Sequence, residues 1–155
     1  MNNPADVKPN GSFADHLGQQ SLASANAGAT PVAAAGANSF TLALSNGGTT
    51  LGWLGKDSGG WAILVSDVSQ AVVFEKYIDS NGTYYAVKGG GSYLSVSNQA
   101  YIGFYNWLGA TTFSMKDNHL VSSYNGQKLS LYSNSNGYLY AWDAYTVLEV
   151  AQVAQ

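Results

Sequence analysis

The chain has no cysteine and no arginine. Without cysteine there is no disulfide framework, no thiol nucleophile and no thiolate metal site. Without arginine, bidentate guanidinium contacts to phosphates and guanine edges are excluded. Charge of either sign is scarce: charged residues make up 10% of the 155 residues, against roughly a quarter in an ordinary domain. Six lysines against nine acids leave a net charge of −3. Phosphate neutralisation supplies most nucleic-acid affinity, so nucleic acid is not an expected partner. Anionic membrane surfaces are disfavoured on the same ground. No apolar run reaches the length of about 18 residues that a spanning helix needs, so no membrane span is expected. The opening Met1-Asn2-Asn3-Pro4-Ala5-Asp6 lacks the basic and apolar regions of a secretory signal. A cytoplasmic location and secretion by a non-classical or processed route both stay open.

Proline is absent from most of the chain, and its position divides the sequence in two. Pro4, Pro9 and Pro31 all lie in residues 1–37, which also hold a Ser/Ala/Asn/Gly tract and one aromatic, Phe13. That composition predicts a low-complexity N-terminal arm, with a short helix around Phe13-Ala14-Asp15-His16-Leu17. Residues 38–155 contain the other 19 of the 20 aromatics and no proline. A proline-free stretch rich in Tyr, Thr, Val and Trp suits closely paired strands, because proline removes a ladder donor. Asn46-Gly47, Asn81-Gly82, Asn125-Gly126 and Asn136-Gly137 fit hairpin turns that need positive φ. The second segment is therefore all-β.

A four-strand unit recurs within it. One copy reads Tyr84-Tyr85-Ala86-Val87, Gly89-Gly90-Gly91, Tyr93-Leu94-Ser95-Val96, Tyr101 to Asn106, then Thr112-Phe113-Ser114-Met115. Another reads His119 to Ser122, Asn125-Gly126, Lys128-Leu129-Ser130-Leu131, Tyr138 to Asp143, then Thr146 to Val150. Leu94 and Leu129 are 35 positions apart, as are Phe113 and Leu148. A looser copy runs Phe40 to Leu44, Thr49 to Leu54, Trp61 to Val65 and Ala71 to Glu75. In each unit the first and fourth strands are expected to form a barrel and the middle pair a capping hairpin. The inward set would be Leu42, Leu51, Ile63, Val65, Phe74, Leu94, Val96, Ile102, Phe104, Phe113, Met115, Leu120, Leu129, Leu131, Leu139, Leu148 and Val150. A one-residue slip would instead turn Tyr138, Tyr140 and Trp142 inward.

At the end of each third strand stands a carboxylate or amide: Asp67, Asn106 and Asp143. Aromatics crowd two of them, Tyr105 and Trp107 beside Asn106, and Tyr140, Trp142 and Tyr145 beside Asp143. Such a pairing is what sugars need, since the acceptor takes hydroxyl protons while the C–H face of the ring packs on an aromatic. The bland alternative is that Asn and Asp after a strand form turns and that Trp and Tyr on strands pack. Catalysis has little basis. His16 and His119 show no metal-ligand spacing, no cofactor is implied, and Gly89-Gly90-Gly91 lies between strands and so reads as a turn.

The strand, glycine turn, Tyr-Leu-Ser strand and aromatic strand resemble the β-trefoil superfamily, with its ricin-B-like lectins, fungal fruiting-body lectins and fascin-like modules, over about residues 38–152. The Gln-x-Trp signature of ricin-type repeats is missing from this chain. The resemblance implies a β-trefoil of three four-stranded repeats and a carbohydrate- or protein-binding module with up to three related sites. Two functions are expected from this reading. One is a non-enzymatic, lectin-like module taking glycans through Asp67, Tyr105, Asn106, Trp107, Tyr140, Trp142 and Asp143. The other is a self-assembling surface or filament protein, a homo-oligomer using residues 1–37 for subunit contacts.

Overall fold

The computed structural model describes residues 11–16, 38–89, 91–132 and 137–155. Their strands are β1 (Phe40–Asn46), β2 (Thr49–Lys56), β3 (Ala62–Val65), β4 (Phe74–Asp79), β5 (Gly82–Val87), β6 (Tyr93–Val96) and β7 (Ile102–Tyr105), followed by β8 (Thr112–Lys116), β9 (His119–Ser122), β10 (Leu129–Leu131), β11 (Leu139–Ala141), β12 (Thr146–Val147) and β13 (Glu149–Ala154). Among the described residues helix is limited to short 3-10 turns at Phe13–His16, Val68–Gln70 and Trp107–Gly109. The expected fourth strand of the last unit is present as β12 and β13, interrupted at Leu148.

The turns follow from the residues that tolerate positive φ. Gly47 (φ 59°) and Gly48 (φ 85°) reverse the chain between β1 and β2, and Gly126 (φ 70°) does so between β9 and β10. The tight β8–β9 turn uses Asp117 (φ 51°) and Asn118 (φ 65°), two residues whose short polar side chains favour the left-handed region. The expected turn at Asn136-Gly137 begins outside the described residues.

All pairings are antiparallel. β1 pairs with β13, β2 and β4; β4 with β5; β5 with β8; and β8 with β9. The result is a curled sheet forming a half-barrel. Three hairpins, β2–β3, β6–β7 and β10–β11, complete the molecule. Their outer strands meet through single bridges, Trp61 with Gly103, Ile63 with Tyr138 and Tyr101 with Tyr140. Three backbone hydrogen bonds run head to tail around this junction. Phe104 N donates to Gly60 O at 2.8 Å, Ala141 N to Ala100 O at 2.9 Å and Leu64 N to Gly137 O at 2.8 Å. Each acceptor belongs to a residue of positive φ: Gly60 at 82°, Ala100 at 66° and Gly137 at 91°.

The core lies between the half-barrel and the hairpins. Leu42, Val65, Phe74, Leu94, Val96, Ile102, Phe104, Phe113, Leu120, Leu129, Leu139, Leu148 and Val150 are buried as expected. Leu51 and Met115, expected to point inward, are each 38% exposed. The β1–β2 register jumps from Leu44–Gly52 to Ser45–Thr50, so Leu51 is the extra residue of a bulge and loses its inward phase. Met115 lies in the outer half of β8, which is exposed from Ser114 onward. Ile63 and Leu131 are only half-buried. Both faces of β11 are covered: Leu139 and Ala141 join the main core, while Tyr140 enters a separate aromatic cluster.

Tyr85 brings a phenol into the core, where its ring meets Phe40, Phe74 and Phe113. Burial raises its pKa above the usual 10.0, and a hydrogen bond with Gln152 partly opposes this. A raised folded-state pKa means that stability is complete below pH 10 or so and declines as pH rises through the folded value. Tyr84 and Tyr93 are raised as well, also mainly by burial. Tyr85→Phe should therefore flatten, without abolishing, the alkaline loss of stability measured by urea unfolding from about pH 9 to pH 12. An unchanged alkaline slope would show that the Tyr85 hydroxyl does not lose solvent on folding.

Candidate functional site

The three polar residues at the strand ends have different local duties. Asp67 is the N-cap of the Val68–Gln70 turn, its carboxylate accepting from Ser69 N at 2.9 Å. Hydrogen bonds from the Ser69 backbone and hydroxyl hold the Asp67 pKa below 3.8. Asn106 caps Trp107–Gly109 in the same way, its Oδ1 accepting from Leu108 N at 3.0 Å. Asp143 instead reaches across the β10–β11 hairpin. Its Oδ1 accepts from Lys128 N at 2.7 Å, its own N–H donates to Gln127 Oε1 at 2.9 Å, and Oδ2 lies 3.5 Å from Lys128 Nζ. The side chains of Lys128 and Asp143 remain 38% and 41% exposed.

Residues Asn125, Gln127 and Lys128 were not expected at this site. Asn125 Nδ2 donates to Ala141 O at 2.9 Å, and its Oδ1 accepts from Gln127 N at 3.0 Å. Their placement follows from register. Leu129 pairs with Ala141 and Leu131 with Leu139, so continuing that count sets Gln127 opposite Asp143. Hairpin pairing combined with the polar turn ahead of β10 was the available signal.

The aromatics split into two groups. Trp107 is 9% exposed and packs within 5.0 Å of the Tyr84 ring and 5.5 Å of the Tyr93 ring, measured between centroids. It is a packing residue, separate from the other candidates. Tyr105, Tyr140 and Trp142 converge on one cluster with Phe13, Trp61 and Tyr101. There Trp61 meets Phe13 edge-on at 5.7 Å and Tyr101 at 5.5 Å, while Tyr140 meets Tyr101 at 5.7 Å and Tyr145 at 5.1 Å. Tyr140 is buried, whereas Tyr105, Tyr124, Tyr132, Tyr138, Trp142 and Tyr145 form a half-buried rim. Phe13, Trp61, Tyr101, Tyr124, Tyr132 and Tyr138 are members that sequence reasoning did not assign to a site.

Asp143, Gln127 and Lys128 thus supply a carboxylate, an amide and an ammonium at the surface, next in sequence to the half-buried Trp142. No group of three or more His, Asp or Glu side chains among the described residues has the arrangement of a metal site. His119 is engaged elsewhere, its Nδ1 lying 3.2 Å from Leu148 O. No family model matches the chain, and no curated protein matches it.

Capping and packing predict different stability losses. Asp67→Ala and Asn106→Ala each remove a cap from a three-residue 3-10 turn and should cost less than Trp107→Ala, which should cost about 3–5 kcal/mol in chemical denaturation. A loss below about 1 kcal/mol for Trp107→Ala would show that its ring is not held between Tyr84 and Tyr93.

Proposed function

We propose that residues 38–155 form a β-trefoil of three four-stranded units acting as a non-enzymatic carbohydrate-binding module, with its principal site in the third unit. Three matching backbone bonds support the unit division: Val72 N to Leu54 O at 3.0 Å, Thr111 N to Leu94 O at 3.3 Å and Leu148 N to Leu129 O at 3.1 Å. Two hairpin turns also match. Asp57 Oδ1 accepts from Gly59 N and Trp61 N, and Ser97 Oγ accepts from Gln99 N and Tyr101 N.

The observation that carries the sugar reading is the Asp143–Lys128–Gln127 group, in which the Asp143 and Lys128 side chains are exposed and Gln127 is half-buried, next in sequence to Trp142. A carboxylate accepts from vicinal hydroxyls, an ammonium and an amide donate to ring and glycosidic oxygens, and a half-buried indole offers an apolar face. The other two strand ends supply less. Asp67 and Asn106 each use one side-chain oxygen as a cap, as Asp143 uses Oδ1 on Lys128 N, but the exposed residues after them are the apolar Val68 and Leu108. Geometry therefore favours one site over three equal ones.

Self-assembly is the second reading. It draws on the scarcity of charge, since net charge of one sign is what ordinarily keeps protein surfaces apart, and on the exposure of Leu51, Val68, Ile78, Leu108, Met115 and Val153.

Glycan-array screening followed by calorimetry tests the first reading. Asp143→Ala should weaken binding by about 1.5–3 kcal/mol, roughly tenfold or more. Asp143→Asn retains an acceptor for Lys128 N and should keep the native fold while losing part of the affinity. Trp142→Ala should also weaken binding, with a loss of stability because the half-buried ring packs on the aromatic cluster, so Asp143→Asn is the variant that separates site from scaffold. Absence of glycan binding by the parent protein would overturn the sugar reading and favour assembly.

A further inference from the structure

We propose that the notch over Gly103 is a docking site for the Gly11–His16 segment, and that it takes this segment from a second copy of the chain in exchange for its own. The inference goes beyond sugar binding and gives the assembly reading a defined contact, which stands or falls separately from Asp143.

The notch is built for a ring. Phe13 is fully buried, and a methyl group placed on Gly103 would overlap the Phe13 ring before meeting any other atom. Gly103 lies inside β7, where glycine otherwise weakens a strand and marks a close approach of another group. Gly60, the neighbouring turn residue, also faces the Phe13 side chain. Trp61 meets the ring edge-to-face with centroids 5.7 Å apart, and Phe13 shares one apolar cluster with Tyr101 and Tyr140.

The segment brings everything it needs within six residues. Phe13 N donates to Gly59 O at 2.8 Å, and Trp61 Nε1 donates to Gly11 O at 3.1 Å. Asp15 shapes the segment internally, its carboxylate accepting from Ser12 N at 3.1 Å. The anchor is thus one apolar ring, one backbone bond to Gly59, one bond from the Trp61 indole to the Gly11 carbonyl, and a self-capped turn. Such a short linear element is recognised in the same way whichever chain carries it.

Chain length permits that exchange. Residues 17–37 separate the segment from the body, and 21 residues reach at most about 70–75 Å. A domain of this size has a radius of gyration of about 13–14 Å, so the reach exceeds its diameter. Tethered docking on the same body competes with an effective concentration in the millimolar range. Exchange is therefore a property of crowded copies, as in a coat or filament, with the dilute chain closed on itself. Exchange of an identical element between protomers is a low-cost route to association.

A chain without native cysteine allows a clean disulfide test. Full-length Ser12→Cys and full-length Ser58→Cys are mixed at high concentration under mild oxidation. Ser58 precedes Gly59, the acceptor of the Phe13 amide. A Ser12→Cys/Ser58→Cys double variant should close within one chain, establishing that the pair is in reach. The mixture should yield the mixed dimer several-fold above a control of Ser12→Cys with Ser114→Cys, an exposed position on β8. Excess synthetic peptide Asn10–Leu17 should suppress that yield, and the same peptide carrying Phe13→Ala should not. Gly103→Ala in the Ser58→Cys partner should reduce it as well. Failure of the double variant to close, a mixed-dimer yield equal to the control, or indifference to the Phe13-containing peptide would each overturn the proposal.

Discussion

Three hydrogen bonds at the junction of the hairpins are the constraint on which the rest of the molecule depends. The outer strands β3, β7 and β11 are only three or four residues long, and an isolated two-stranded hairpin is marginal in water. Each hairpin turn satisfies a donor on the next: Gly60 receives Phe104, Ala100 receives Ala141 and Gly137 receives Leu64. Removing the bond from Phe104 or Ala141 leaves the amide of a buried residue unpaired, which costs more than the bond itself contributes. The left-handed conformation of each acceptor residue aims its carbonyl at the neighbouring strand. Ala100 adopts that conformation without being glycine and is fully buried.

The two apolar clusters are the two sides of this junction. Leu54, Ala62, Leu94, Ile102, Phe104, Leu129, Leu139 and Ala141 face the half-barrel. Trp61, Tyr101 and Tyr140 face away from it, where a surface would otherwise begin, and Phe13 covers them. A chain with few charges needs this second layer, because strands with apolar side chains on both faces must be covered twice. The N-terminal segment is thereby tied to the fold by the same aromatic rings that the hairpins bring together. Trp142 and Tyr145 lie at the rim of that layer, and Trp142 is next in sequence to Asp143 of the site we propose.

Much of the fold was legible in the sequence. The absence of proline beyond Pro31 and the alternation of apolar residues located the strands, and the short helix at Phe13 was expected as well. The Asn-Gly pairs marked where the chain reverses but not the central residues: Asn46 pairs with Thr49 around Gly47-Gly48, and Asp79 pairs with Gly82 around Ser80-Asn81. Leu51 was misplaced because a bulge shifts phase by one residue, and alternation alone does not mark where the extra residue sits. The β8–β9 turn carries Asp117-Asn118, a pair with no glycine to mark it. The candidate site was only partly legible. Asp67, Asn106 and Asp143 resemble one another as letters, but two are caps and one bridges a hairpin, a difference set by register. Trp107 reads like Trp142 and packs elsewhere. Phe13 stood alone in a low-complexity stretch, and its receptor is the missing side chain of Gly103, which no local pattern announces.

Native-state hydrogen exchange of the backbone amides of Leu64, Phe104 and Ala141 tests the closed junction most directly. If the three bonds hold the hairpins as one unit, these amides open together, with the same free energy and the same dependence on denaturant. An amide among the three that exchanges through a separate, much lower-energy opening would contradict the account, because one hairpin would then leave while the other two remain in place.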